Sequence, residues 1–303
     1  MIYLLSAIFC STAIALILKH GEEQNHNRFV ILSMNYTMAA SISLWLVVKK
    51  GLLNSLADMS WGRLVNQLAG NNPGAEGFLT VESSALWALV IGIPTGILYF
   101  LGFFYYQKSV RESGVGMAGS YAKMGILIPM ILSMIFWKEF PGGLQWAGII
   151  LALTAIGMVN LRFSSNNIFS SIKPYLLLLF LSSGVSEFTS KLYQKYGVLA
   201  MKDLFLFFLF ATALLISLLK IRRKPCIGEV VVGLLVGIPN FFASFFLINA
   251  LSKMPASVVF PSYSAGSIAL ICLGGRIFYG EKLSRRETTA IIITVASLLL
   301  INL

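Results

Sequence analysis

Residues 119–161 are written twice along the chain, and that repetition constrains the fold more than any local feature. Ser120-Tyr121 recurs 142 positions later as Ser262-Tyr263, Ile135-Phe136-Trp137-Lys138-Glu139 as Ile277-Phe278-Tyr279-Gly280-Glu281, and Asn160-Leu161 as Asn302-Leu303. Further back the offset grows: Gly92-Ile93-Pro94 meets Gly237-Ile238-Pro239 at 145, and Lys19-His20-Gly21 meets Lys195-Tyr196-Gly197 at 176. The step from 145 to 176 places about 31 extra residues in the first copy, over 51–84. The chain therefore reads as a tandem duplication, 1–161 followed by 174–303, and weak internal symmetry in an apolar chain points to a transporter.

With 57% hydrophobic and 12% charged residues, the chain is far less charged than a soluble domain, where the charged share is about a quarter. Spanning a bilayer takes roughly 20 apolar residues in a helix. Ten stretches qualify: 1–18, 29–48, 85–106, 115–137, 143–161, 174–193, 204–219, 230–251, 256–279 and 287–303. Each copy holds five. Five is odd, so the second copy enters the membrane from the opposite side, and the expected fold is an all-α membrane protein of ten transmembrane helices in two inverted five-helix repeats.

The first span has no basic residue ahead of it and no small-residue cleavage site before Lys19, so a removable signal peptide is not expected. Cys10, Cys226 and Cys272 are odd in number and widely spaced, which fits neither a disulfide framework nor a metal site. The net charge of +11 sits mainly at span ends, where it serves topology and headgroup contact rather than nucleic acid. Loops after odd-numbered spans hold thirteen Lys and Arg against eight after even-numbered ones, which leans towards termini outside the cytoplasm.

Within 51–84, Trp61, Leu64, Val65 and Leu68 recur at helical spacing until Asn71-Asn72-Pro73-Gly74 ends the pattern, as in an amphipathic helix lying on the membrane. Pro94 and Pro239 fall at matching places in spans three and eight. A proline there removes a hydrogen bond and bends the helix, either as a hinge or as a packing kink.

Each copy closes on an aromatic-Lys/Gly-Glu turn, then a polar residue, a small residue and an apolar helix. These residues are Trp137-Lys138-Glu139, Gln145, Gly148 and Gly157 in the first copy, and Tyr279-Gly280-Glu281, Arg286 and Ala290 in the second, with Leu299 in place of the second glycine. This arrangement resembles the EamA type of the drug/metabolite transporter superfamily. The resemblance implies a carrier of small metabolites with a central cavity lined by spans one, three, four, six, eight and nine. It also implies cytoplasmic termini, against the charge count.

Ionisable groups inside spans cost about 2.5–3.5 kcal/mol on insertion scales and are candidate functional groups. Three lie well inside: Lys123, Glu187 and Arg276. Glu187 is the carboxylate that desolvation would lift towards neutrality, suiting it to carry a proton; alternatively it pairs with Lys191 four residues on. Lys123 either holds a substrate carboxylate or phosphate or snorkels to the headgroups. For Arg276, near a span end, capping or snorkelling is the stronger reading. The duplicated Ser120, Tyr121, Ser262 and Tyr263, with Tyr99 and Asn240, complete a polar and aromatic set suited to a small-molecule pocket.

The expected function is secondary transport of a small organic metabolite (an amino acid, sugar derivative, nucleotide-like or drug-like solute) by alternating access, in a multi-pass cell membrane protein. No cofactor, metal or nucleic acid is expected. A proton as coupling ion and homodimeric assembly both stay open. The alternatives are a lipid or lipid-linked-sugar flippase of the same fold, or a receptor or scaffold that transports nothing. Enzymatic chemistry is not expected, because His20 and His26 share one loop and Asp58 and Asp203 stand apart, whereas metal-dependent catalysis needs clustered ligands.

Overall fold

The structure is a computed structural model. It describes residues 1–24, 26–70, 78–160, 173–221, 223–280 and 285–301; within its helices the side chains of 22, 23, 107, 110, 111, 113–120, 123, 159, 160, 286 and 287 are not described. Asn71-Asn72-Pro73-Gly74, Leu161, Glu281, Asn302 and Leu303, and the side chains of Asn160 and Arg286, thus lie outside what is described.

The described chain is helical throughout, with no strand among the described residues. Twelve helices run in order: α1 (Ile2–Glu23), α2 (Arg28–Lys49), α3 (Asn54–Ala57), α4 (Trp61–Gly70), α5 (Val81–Met124), α6 (Leu127–Trp137), α7 (Gly143–Asn160), α8 (Pro174–Tyr196), α9 (Lys202–Leu218), α10 (Ile227–Leu251), α11 (Ala256–Tyr279) and α12 (Arg285–Ile301). Among the described residues six segments are long and apolar enough to cross a membrane, and three shorter apolar helices, in α6, α7 and α12, accompany them. The protein is an all-α, multi-pass membrane protein.

Spans three and four do not appear as one helix each. Span three and the first part of span four run together in α5, 44 residues long, and the rest of span four forms α6. The second copy breaks at the equivalent place because Pro255 has no N–H to donate and caps α11. The first copy carries no proline between Gln107 and Met124, and Gln107, Lys108, Arg111 and Glu112 all favour helix. The chain turns instead at Gly125.

Two compact units make up the chain, one of residues 1–100 and 189–253, the other of 101–188 and 254–303. Each draws on both sequence repeats. In the first unit α9 is a core helix, with Leu204, Phe205, Leu206, Leu209, Phe210 and Ala213 fully buried. Phe210 meets Tyr36 of α2, Tyr99 of α5 and Phe241 of α10 at ring separations of 6.3, 6.2 and 6.4 Å. In the second unit the core joins Met130 and Met134 of α6, Ile149, Ala152 and Ile156 of α7, Val258, Ala265 and Ile268 of α11, and Ile301 of α12.

The inserted stretch forms α3 and α4. Leu64 of α4 packs with Leu79 and Leu86, while Trp61, Val65 and Leu68 are exposed. The apolar positions that share helical spacing therefore divide, one inward and three outward.

Candidate functional site

Close helix approach in the first unit rests on glycines at equivalent places. A Cβ at Gly92 of α5 would lie 2.8 Å from Phe208 Cβ and 3.1 Å from Phe205 O, both on α9. A Cβ at Gly237 of α10 would lie 2.5 Å from Asn35 O and from Met38 Cβ, both on α2. Small residues let helices approach closely in lipid, so the third span packs on the seventh and the eighth on the second. Pro94 is exposed and Pro239 half-buried; within the duplicated Gly-Ile-Pro the glycine makes the contact.

These approaches gather polar groups in the middle of the first unit. Asn240 Nδ2 donates to Asn35 Oδ1 at 3.0 Å. Tyr99 Oη lies 3.4 Å from Ser244 Oγ, and Thr95 Oγ1 donates to Thr189 Oγ1 at 2.8 Å. Tyr99 and Asn240 thus belong to one unit but to separate hydrogen-bonded pairs.

One end of this unit holds buried charge. Asp203, 0% exposed, forms an ion pair of 2.5 Å with Lys50, whose side chain is 42% exposed. Lys202, 8% exposed, places Nζ 4.5 Å from the centre of the Phe245 ring. Tyr193 of α8 stacks on Phe205 at 4.4 Å, with its ring plane 9° from parallel. The other end is ordered by Glu229, 1% exposed. It accepts from Asn27 N at 2.7 Å and Cys226 N at 3.0 Å, and from Arg223. Beside it, His20, His26 and Gly228 line a cavity of about 360 Å³, which none of the sequence-predicted site residues enters.

Glu187, Tyr121, Ser262 and Tyr263 fall in the second unit. Glu187, Tyr121 and Tyr263 are half-buried. Ser262 is fully buried, and its Oγ has no hydrogen-bond partner among the described residues. Trp137 stacks on Phe188, next to Glu187, at 5.7 Å. Lys138 and Gly280, equivalent across the duplication, both take left-handed backbone, at φ 54° and 64°. The turn at Lys138 leads to Glu139, whose Oε2 accepts from Ala256 N at 2.8 Å and caps α11. Arg276, near the end of α11, is exposed. The side chains of Ser120 and Lys123 lie outside those described, as does Glu281.

Residues missed by sequence reasoning cluster on α8 and at the start of α9. Ser182, Ser186, Ser190, Gln194 and Lys195 are buried, and so, to 1% exposure, is Lys191, which the sequence had offered only as a partner for Glu187. Their signal is the polarity of α8, which at 23 residues is long enough to span a bilayer but is not among the apolar spans.

Long apolar helices joined by small residues, with a few polar groups held inside, define a polytopic membrane protein. The EamA-like transporter family model matches residues 1–161. The chain belongs to the EamA-like transporter family, within the drug/metabolite transporter superfamily. An uncharacterized protein of Haemophilus influenzae is similar at 21% identity over 302 residues, which cover 97% of this chain and 95% of that protein. A solved crystal structure of a protein matches with a TM-score of 0.69 at 14% identity, covering 99% of this chain and 94% of that one. At that identity the likeness speaks to fold alone.

Proposed function

We propose that this chain is a secondary transporter of a small organic solute, working by alternating access between two inverted five-span repeats and without covalent chemistry. The paired glycine packing carries this reading. Gly92 on α9 and Gly237 on α2 are one contact made twice with the repeats exchanged, which is the relation an inverted duplication requires. The matched left-handed turns at Lys138 and Gly280 support it as well.

Tyr99, Asn240, Ser120, Tyr121, Ser262, Tyr263 and Lys123 are proposed substrate contacts, and Pro94 and Pro239 proposed hinges. Glu187 is the proposed proton carrier. The buried Lys191 stands four residues on along α8, at the spacing of a helical ion pair.

Flux of labelled amino acids, sugars and nucleotides into proteoliposomes tests the function. Uptake of at least one solute is expected. Lipid scrambling with no solute flux would favour the flippase reading instead. Glu187→Gln is expected to abolish uptake driven by a pH gradient while leaving solute exchange intact; an unchanged pH dependence would remove Glu187 from the mechanism.

A further inference from the structure

We propose that Lys202, Lys50 and Asp203 form a binding site for an organic anion that carries a hydrogen-bond donor beside its carboxylate or phosphate. This deepens, and rests on, the transport reading above.

The argument is one of charge balance in a buried place. Asp203 is 0% exposed and its Oδ2 pairs with Lys50. Lys202, adjacent in sequence, is buried too; its ammonium lies over the Phe245 ring and feels both the Asp203 carboxylate and the Lys50 ammonium. A cation–π contact returns only part of the hydration an ammonium loses on burial. Two cations therefore face one carboxylate, and the cluster is short of one negative charge. A carboxylate or phosphate bridging the two ammonium groups would restore neutrality with charge-assisted hydrogen bonds.

A second observation defines the rest of the ligand. Asp203 Oδ1 is buried and has no hydrogen-bond partner among the described residues. A buried acceptor without a donor is costly, and the group that would satisfy it is an N–H or O–H next to the anion. An α-amino acid or a hydroxy acid has both in the required proximity, and Phe245 supplies an apolar wall for the remainder. Lys50, with its side chain 42% exposed, opens the cluster to solvent, so a ligand reaches Lys202 past it.

Thermal unfolding of the purified full chain tests the proposal, with lactate, glutamate and inorganic phosphate as probes. Propionate serves as an anion without the donor, glucose as a donor without the anion, and chloride matches ionic strength. Lactate or glutamate is expected to raise the melting temperature beyond propionate, glucose and chloride. Lys202→Met is expected to weaken that response about tenfold and Lys50→Gln several-fold, while Lys202→Arg retains it. If Lys202→Met does not fold, Lys50→Gln, at a partly exposed position, decides. No shift beyond chloride from any probe, or an undiminished shift in the folded variants, would overturn the site. Flux measured on the same preparations separates the two readings. Binding without flux sinks transport and keeps the site, whereas flux of a neutral solute without anion binding does the reverse.

Discussion

The two ends of the first unit are built to one plan and charged differently. His26-Asn27, at the start of α2, and Lys202-Asp203, at the start of α9, hold equivalent places 176 positions apart. At the first, Glu229 is saturated: two backbone N–H groups and Arg223 share its oxygens. At the second, among the described residues, Asp203 has one ion pair and one oxygen without a donor, beside an additional buried lysine. A saturated carboxylate fastens helix ends together. An unsaturated one beside an additional cation does not, and this is the contrast on which the proposed anion site rests.

Substitutions can break that contrast. Asp203→Asn keeps the shape but leaves Lys202 buried beside no carboxylate. Loss of one partner of a buried pair costs several kcal/mol, and with Lys50 partly exposed the expected destabilisation is about 3 kcal/mol. Denaturant titration in detergent would measure it; a change close to zero would mean that the cluster is solvated.

Gly92→Ala and Gly237→Ala come next. Each new Cβ meets backbone or Cβ atoms of the facing helix, and overpacking costs about 1–3 kcal/mol. The inverted plan predicts similar losses at both sites, so a large loss at one and none at the other would break the symmetry. At the saturated end, Glu229→Gln removes a charge but keeps an acceptor, and Arg223 is already 58% exposed. The loss there is expected to be about 1 kcal/mol, smaller than at Asp203.

The smallest effect lies in the second unit. Lys138 takes the left-handed conformation that Gly280 takes in the other copy. Lys138→Gly is expected to stabilise by about 0.5–1 kcal/mol, because glycine adopts that backbone without a Cβ clash. Destabilisation would mean that the Lys138 side chain holds the turn.

Much of this was legible in the sequence. The repeat offsets placed Gly92 opposite Gly237 and Lys138 opposite Gly280 before any coordinates, because backbone constraints of this kind are written in residue type. The burial of Lys202 and Asp203 was not legible, since charges at the edge of an apolar run ordinarily face water or headgroups. The structure reveals otherwise, with Lys202 lying over the Phe245 ring and Asp203 fully enclosed. The unbroken α5 was missed for a related reason. A polar tract from Gln107 to Glu112 reads as a loop by hydropathy, yet its residues favour helix and no proline interrupts them.

The central claim is that two five-span repeats lie in the membrane with opposite orientation. Reporter tags placed between α7 and α8 and after α12 test it most directly. Five spans separate the two positions, so the account predicts the tags on opposite faces of the membrane. Finding both on one face would contradict it.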